Sequence, residues 1–269
     1  MRIARSESIA THALLVLASV VAVFPLASIV VSSLQGVTGS SSGLSFTAYS
    51  TAWTQGRFGS ALLSSALVSV TVVVVTVVLA ALAGYALATM RVPGGKVIVA
   101  LLLVGLVLPY EVTVLPLYEM LTGWHLIDTY GALILPQIAL SVPLGVLWMR
   151  SFFASVPVEL LEAARIDGTS RLQSLRLVVL PIAGPAITTL STVLFLFTWN
   201  EFLLALILVP DNPSVQTVPL ALSFFSGAAR SSDPAVTAAA AVLVALPVLL
   251  AYVFLQRRLI SGLTEGAVK

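Results

Sequence analysis

The chain of 269 residues is 59% hydrophobic and only 9% charged, where an ordinary soluble domain is roughly half apolar and about one-quarter charged. Thirteen Lys and Arg with eleven Asp and Glu, at a mean hydropathy of +1.08, cannot clothe a water-facing surface of this size, which excludes a soluble globule, a disordered tail and a nucleic-acid binder. The lack of cysteine removes disulfides, thiolate metal sites and Cys nucleophiles, and His12 and His125 stand too far apart in sequence to suggest an all-His metal site.

Only a helix satisfies its own backbone groups in hydrocarbon, and about 20 apolar residues carry it across. In chain order, six stretches qualify: residues 13–31, 61–88, 97–121, 131–149, 182–209 and 236–255. The expected fold is therefore all-α, a six-span transmembrane bundle forming one domain over 1–269, with lipid as its main surroundings. A cleaved signal peptide is an alternative for the first stretch, because Arg2 and Arg5 precede an apolar run. That run exceeds the usual 7–15 residues and ends at Val30 and Val31 without a small-x-small site, which favours a span. The fourth stretch carries Pro136 and Pro143 and should kink.

Lys and Arg concentrate in cytoplasmic loops. With the N-terminus inside, Arg2, Arg5, Arg91, Lys96, Arg150, Arg165, Arg171, Arg176, Arg257, Arg258 and Lys269 fall on the inner side, and only Arg57 and Arg230 outside. Both termini are then cytoplasmic and the protein is multi-pass in the cell membrane.

Between the fourth and fifth stretches, residues 152–181 break the hydropathy and read as two short helices. The first has Pro157 in its opening turn, Glu159 and Glu162 near its positive end, and Gly168 as its left-handed stop. The second opens at Ser170 with Gln173 at capping-box spacing, presents Leu172, Leu175 and Val179 on one face, and ends at Pro181. Such a helix–Gly–helix is too short and too charged to span. Periodicity alone leaves two readings open: an interfacial helix resting on headgroups, or a docking element for a cytosolic partner.

The order of residues decides. Glu162-Ala163-Ala164, three residues, Gly168, nine residues, Val178, one residue, then Leu180-Pro181 resembles the EAA-x3-G-x9-I-x-LP loop of ABC-importer permeases, with Val178 in place of Ile. The resemblance extends to the maltose-permease G-type subunits of carbohydrate importers. It rests on Phe46-Thr47-Ala48-Tyr49, on Tyr85-Ala86 followed by Val92-Pro93-Gly94-Gly95-Lys96, on Trp199-Asn200-Glu201-Phe202, and on the tail from Gln256 to Lys269. Ser64-Ser65 departs from the Asn-Ser usual there. The resemblance implies that Glu162, Ala163, Ala164, Asp167, Gly168, Leu180 and Pro181 form a coupling helix seated in an ATPase subunit, Glu162 offering a carboxylate and the small Ala163 and Ala164 permitting close approach. It implies also that the cytosolic tail 256–269 reaches the ATPase interface through Gly262, Leu263, Thr264 and Gly266. The implied partners are a second, F-type permease subunit, an ATPase dimer and an extracytoplasmic sugar-binding protein.

A carboxylate at mid-bilayer costs about 2.5–3.5 kcal/mol on insertion scales, so Glu201, inside the fifth stretch beside Trp199 and Asn200, should face the bundle, a cavity or a partner. Two readings stand: Asn200 and Glu201 line a translocation path with Trp199 as a sugar-stacking or packing surface, or they make a structural hydrogen bond to the other permease subunit, with Glu201 near the outer interface. Glu111, after Pro109, is a second path candidate if the helix breaks there. Gly94-Gly95-Lys96 lacks the upstream Gly of a phosphate-binding loop and Val97 follows it. The chain is accordingly expected to be no enzyme, with no catalytic or metal residues and no cofactor, ATP and Mg²⁺ being bound by the partner ATPase. The leading function is the permease subunit of an ATP-driven importer of di- or oligosaccharides working by alternating access. The alternative is an ion- or proton-coupled carrier, which usually shows several intramembrane ionisable groups and an internal repeat.

Overall fold

The computed structural model describes residues 5–35, 44–226 and 233–267, the side chains at 5–10, 251 and 254–267 excepted. They divide into two compact units, Met1–Gly59 with Ala221–Pro247 and Ser60–Leu220 with Val248–Lys269. Every element among the described residues is helical apart from a single isolated bridge between Gln35 and Leu44.

In the first unit, α1 (Arg5–Ser33) leaves its apolar side chains exposed, Phe24 by 72%, as hydrocarbon contact requires. The short α2 (Thr47–Gln55) buries Ala48 and Ala52 completely, and its Tyr49 hydroxyl lies 2.7 Å from Ser33 Oγ. At Ala48 the small side chain is part of a packed core.

The second unit holds the elements that position the functional residues. Helix α3 (Phe58–Thr89) is followed by α4 (Gly95–Val107), a 3-10 turn (Tyr110–Thr113) and α5 (Val114–Gly123). Next, α6 (Tyr130–Ser155) runs through both Pro136 and Pro143 and extends beyond the expected end at residue 149. Against it, α3 packs at glycine and alanine positions: a Cβ on Gly84 would stand 2.8 Å from the Arg150 backbone N, and one on Gly145 3.0 Å from Ala80 Cβ. Small residues let two backbones approach where hydrophobicity offers no drive between helices.

Two expected spans are broken. The stretch 97–121 bends by 93° between Gly95–Val107 and Tyr110–Gly123. Leu108 and Pro109 are extended there, because proline lacks the N–H to continue the ladder and pushes the preceding residue out of helical space. The stretch 182–209 is not one rod either. A 79° bend separates Arg171–Ile182 from Gly184–Trp199, designated α10, which ends at Asn200 before a separate short α11 (Leu203–Leu208). Among the described residues three single helices are long and apolar enough to cross a membrane, or up to five spans if each bent pair counts as one. The sixth expected span falls in α13 (Pro234–Ala267), which follows α12 (Val218–Ser226) and whose described apolar part is Pro234–Leu250. The backbone of α13 stays helical well past residue 255, where a polar tail was expected to begin.

Polar ties secure the ends of the spans in this unit. Ser64 Oγ lies 3.0 Å from the Tyr130 hydroxyl and donates to the Ser214 carbonyl, while Ser65 Oγ accepts from the Val218 N–H at 2.8 Å. Asp128, with a φ of 63°, accepts from the Asp211 and Asn212 amides through Oδ1.

Candidate functional site

The hairpin between α6 and α10 is built by local chemistry. Helix α7 (Val158–Ile166) carries Glu159 in its first turn and Arg165 in its last, both complementing the helix dipole. Gly168 follows at φ 77°. Its Cβ would meet nothing within 4 Å, so the requirement for glycine is one of conformation and not of space. Ser170 then caps α8 (Arg171–Ser174) in the expected box: Gln173 N–H donates to Ser170 Oγ at 3.3 Å, and Ser170 N–H to Gln173 Oε1 at 2.7 Å. Thr169 completes the turn, donating from Oγ1 to the Ala164 carbonyl at 2.7 Å and lying 2.8 Å from Ser174 Oγ.

The second helix departs from the regular amphipathic rod expected of it. After α8 the chain takes a π turn (Leu175–Val179) and then a single turn α9 (Leu180–Ile182). Leu175 and Val179, at the two ends of that wider turn, are buried, while Leu172 in α8 is 66% exposed. Pro181 sits inside the last turn, and the chain bends one residue after Ile182. Leu175 and Val179 share a core with Tyr85 of α3 and Met149 and Phe153 of α6. The Tyr85 and Phe153 rings meet edge to face with centroids 5.7 Å apart. The inner face of the hairpin is thus continuous with the packing of two long helices, and its outer face is open: Glu162, Ala163, Asp167, Gly168 and Pro181 are exposed, and Leu180 is half-buried. Ala164 corrects the expectation for the alanine pair. It is 5% exposed and faces the hairpin's own interior, leaving Ala163 alone as a surface for close approach.

A second feature lies between α4, α6 and α10, a cleft of about 650 Å³ with Leu140, Leu144, Leu194 and Phe197 among its apolar walls. Its polar lining is Tyr110, Gln137, Ser141, Thr198, Asn200 and Glu201. Asn200 Nδ2 donates to the Leu196 carbonyl at 2.7 Å, closing the end of α10, and Glu201 Oε1 accepts from the Leu204 N–H at 3.0 Å, capping α11. Both residues combine a hydrogen bond within the chain with a place on the cleft. Tyr110, opening the 3-10 turn after the break in the chain beyond α4, lines the same cleft as Glu201.

Two path candidates fall elsewhere. Trp199 is 4% exposed, packs on Phe195 with ring centroids 5.4 Å apart, and does not line the cleft as its neighbour Thr198 does; it is a packing surface. The break at Pro109 does form, but Glu111 is exposed outside the cleft and Tyr110 enters it instead, since adjacent residues of a 3-10 turn project about a third of a turn apart. Sequence reasoning missed Gln137, Ser141 and Tyr110. Gln137 and Ser141, four residues apart, are the polar pair on one face of the apolar middle of α6 and were open to detection by that spacing. Gln137 is 6% exposed, and its Oε1 has no hydrogen-bond partner among the described residues. The side chains of Gly262, Leu263, Thr264 and Gly266 lie outside the described residues. Among the described residues no group of three or more metal-ligating side chains gathers.

Comparison with known proteins gives consistent matches over most of the chain. Residues 77–264 match the family model for the binding-protein-dependent transport system inner membrane component. The chain is 33% identical over 229 residues to the trehalose transport system permease protein SugB of Mycobacterium tuberculosis, covering 85% of this chain and 83% of that one. It is 32% identical over 267 residues to the diacetylchitobiose uptake system permease protein NgcG of Streptomyces coelicolor, covering 96% and 88%. With the melibiose/raffinose/stachyose import permease protein MelC of Bacillus subtilis it shares 30% identity over 84% of this chain and 82% of that one. Among solved structures, a chain of a bacterial ABC transporter involved in the import of the acidic polysaccharide alginate superposes with a TM-score of 0.75 at 22% identity, over 96% of this chain and 99% of that one.

Proposed function

We propose that this chain, which belongs to the family of binding-protein-dependent transport system inner membrane components, is the G-type permease subunit of an ATP-driven importer of di- or oligosaccharides. Family membership makes it a multi-pass inner-membrane component of an ABC transporter and a transport chain without catalysis of its own. The substrate class is supported by relatives named for trehalose, diacetylchitobiose and the melibiose–raffinose–stachyose group. In this reading six spans cross the membrane with both termini in the cytoplasm. An F-type sister subunit completes the pathway, an extracytoplasmic binding protein delivers the sugar, and two ATPase subunits bind ATP and Mg²⁺.

The observation that carries the reading is the hairpin, exposed on one side and fused on the other to the core of α3 and α6. In the proposed mechanism the ATPase grips Glu162, Ala163, Asp167 and Gly168. The locked turn of Thr169, Ser170 and Gln173 keeps the hairpin rigid, so closure of the motor displaces it as a body. Leu175 and Val179 convey that displacement to Tyr85 and Phe153, and the bend at Ala183 conveys it to α10. Helices α6 and α10 both line the cleft, so their relative movement changes access to Gln137, Ser141, Asn200 and Glu201, amide, hydroxyl and carboxylate groups suited to the hydroxyls of a sugar. Gly262, Leu263, Thr264 and Gly266 are assigned to the ATPase interface on the sequence resemblance.

The test is reconstitution of the chain with its sister subunit, ATPase and binding protein in proteoliposomes. Sugar uptake should require ATP and should vanish in Glu162→Lys as the ATPase ceases to co-purify, with the permease still inserted. Uptake without the ATPase, driven by an ion gradient, would favour the carrier reading and defeat this one.

A further inference from the structure

We propose that the pocket formed by the adjoining ends of α3, α4 and α6 binds the phosphodiester headgroup of an anionic phospholipid through Arg91, Lys96 and Arg150. The pocket holds about 590 Å³, and these three cations line it together with the apolar side chains of Leu87, Val99 and Leu103. They come from different parts of the chain: the turn after α3, the first turn of α4 and the end of α6. Among the described residues none of the three has a carboxylate partner, although Glu159, Glu162 and Asp167 belong to the neighbouring hairpin. Arg150 supplies the sharper observation. Its Nε is shut off from solvent and has no hydrogen-bond acceptor. A guanidinium N–H in that position is costly unless an oxygen comes to it, and a phosphate offers several in the planar geometry that arginine matches.

The walls identify the source of the phosphate. Along α4, Val97, Leu101 and Val104 are 62%, 64% and 53% exposed, a face suited to hydrocarbon and not to water. Leu103, about a third of a turn round the helix from that stripe, lines the pocket and is itself 50% exposed, so the pocket's own apolar wall also opens outward. A ligand with its charge among the cations therefore has an apolar exit toward the membrane for its acyl chains, which a soluble ion would leave unused. The bias of positive charge puts all three cations at the cytoplasmic boundary, where anionic headgroups gather against basic pockets between helices. The N-terminal amides of α4, which begins at Gly95, add positive potential at the same end.

The test is native mass spectrometry of the assembled transporter from bilayers of equal phosphatidylglycerol and phosphatidylcholine. Wild type should retain phosphatidylglycerol selectively. Each surface cation contributes about fivefold to anionic-lipid affinity, so R91Q/K96Q should lower that retention about 25-fold. R91K/K96R should restore it, and an unchanged melting temperature of the complex should show that the double variant is folded. Equal retention by wild type and R91Q/K96Q would overturn the proposal. So would displacement of the lipid by millimolar inorganic phosphate, which would assign a small-anion site. Loss of the ATPase or sister subunit from R91Q/K96Q with lipid retention intact would overturn it too, giving the cations to a protein partner.

Discussion

A substitution series at Gly168 separates shape from bulk in the proposed coupling hairpin. With φ at 77°, an L-residue pays roughly 1–2 kcal/mol to hold the left-handed conformation, least for asparagine and most for a β-branched side chain. Because a Cβ there meets nothing within 4 Å, no steric term adds to this within the chain. Taking about 1 kcal/mol for Gly168→Ala and about 2 kcal/mol for Gly168→Val, the equilibrium between the closed turn and opened alternatives shifts roughly fivefold and 30-fold. The opened forms lose the hydrogen bonds of Thr169 to Ala164 and Ser174, and with them the rigidity of the lever. Binding-protein-stimulated ATP hydrolysis and sugar uptake in proteoliposomes should rank Gly168, then Asn, then Ala, then Val. Two results refute the reasoning. If Gly168→Asn is as impaired as Gly168→Val, contact with the ATPase surface and not backbone shape decides; if Gly168→Val matches wild type, the turn is not part of the lever.

Gln137→Leu keeps the volume but removes the buried amide whose Oε1 lacks a partner. Leaving a buried acceptor unpaired costs about 1–3 kcal/mol, so the variant should melt at the same temperature as wild type or higher while uptake falls at least tenfold, measured in parallel on one preparation. Gly84→Ala should do the reverse. Its Cβ, 2.8 Å from the Arg150 backbone N, must push α3 and α6 apart, and overpacking of this kind costs about 1–3 kcal/mol. Thermal unfolding of the detergent-solubilised complex should register the loss, with Gly84→Leu worse than Gly84→Ala.

The hairpin was legible because its determinants are local. The conformation of Gly168, the Ser170–Gln173 box and the charges of Glu159 and Arg165 act within a few residues, and spacing along the chain reports them directly. What spacing could not report was the π turn at Leu175–Val179. Its buried ends, Leu175 and Val179, share a core with Tyr85 and Phe153, residues distant in sequence, while Leu172 just before it is exposed. Ala164 shows the same limit: whether a small residue faces a partner or its own interior depends on Thr169 folding back over it.

The cleft was harder to foresee because hydropathy averages over a window while a broken span is decided at one residue. Residues 97–121 and 182–209 pass as uninterrupted apolar runs, yet both are interrupted, the first at Leu108 and Pro109 and the second at Asn200. Irregular backbone at membrane depth is tolerated only where it is buried in protein or lines a wet cavity. The two breaks meet that condition at one place, since Leu108, Tyr110, Asn200 and Glu201 line the same cleft. The breaks are therefore not incidental to the cleft. Each ends a helix where a polar group is wanted in a hydrocarbon setting, Tyr110 on one wall and the Asn200–Glu201 pair on the other, and each polar side chain finds company across the gap or in the turn beside it. Straightening either run, for instance by replacing Pro109, would close part of the cleft and strand Glu201 beside apolar walls.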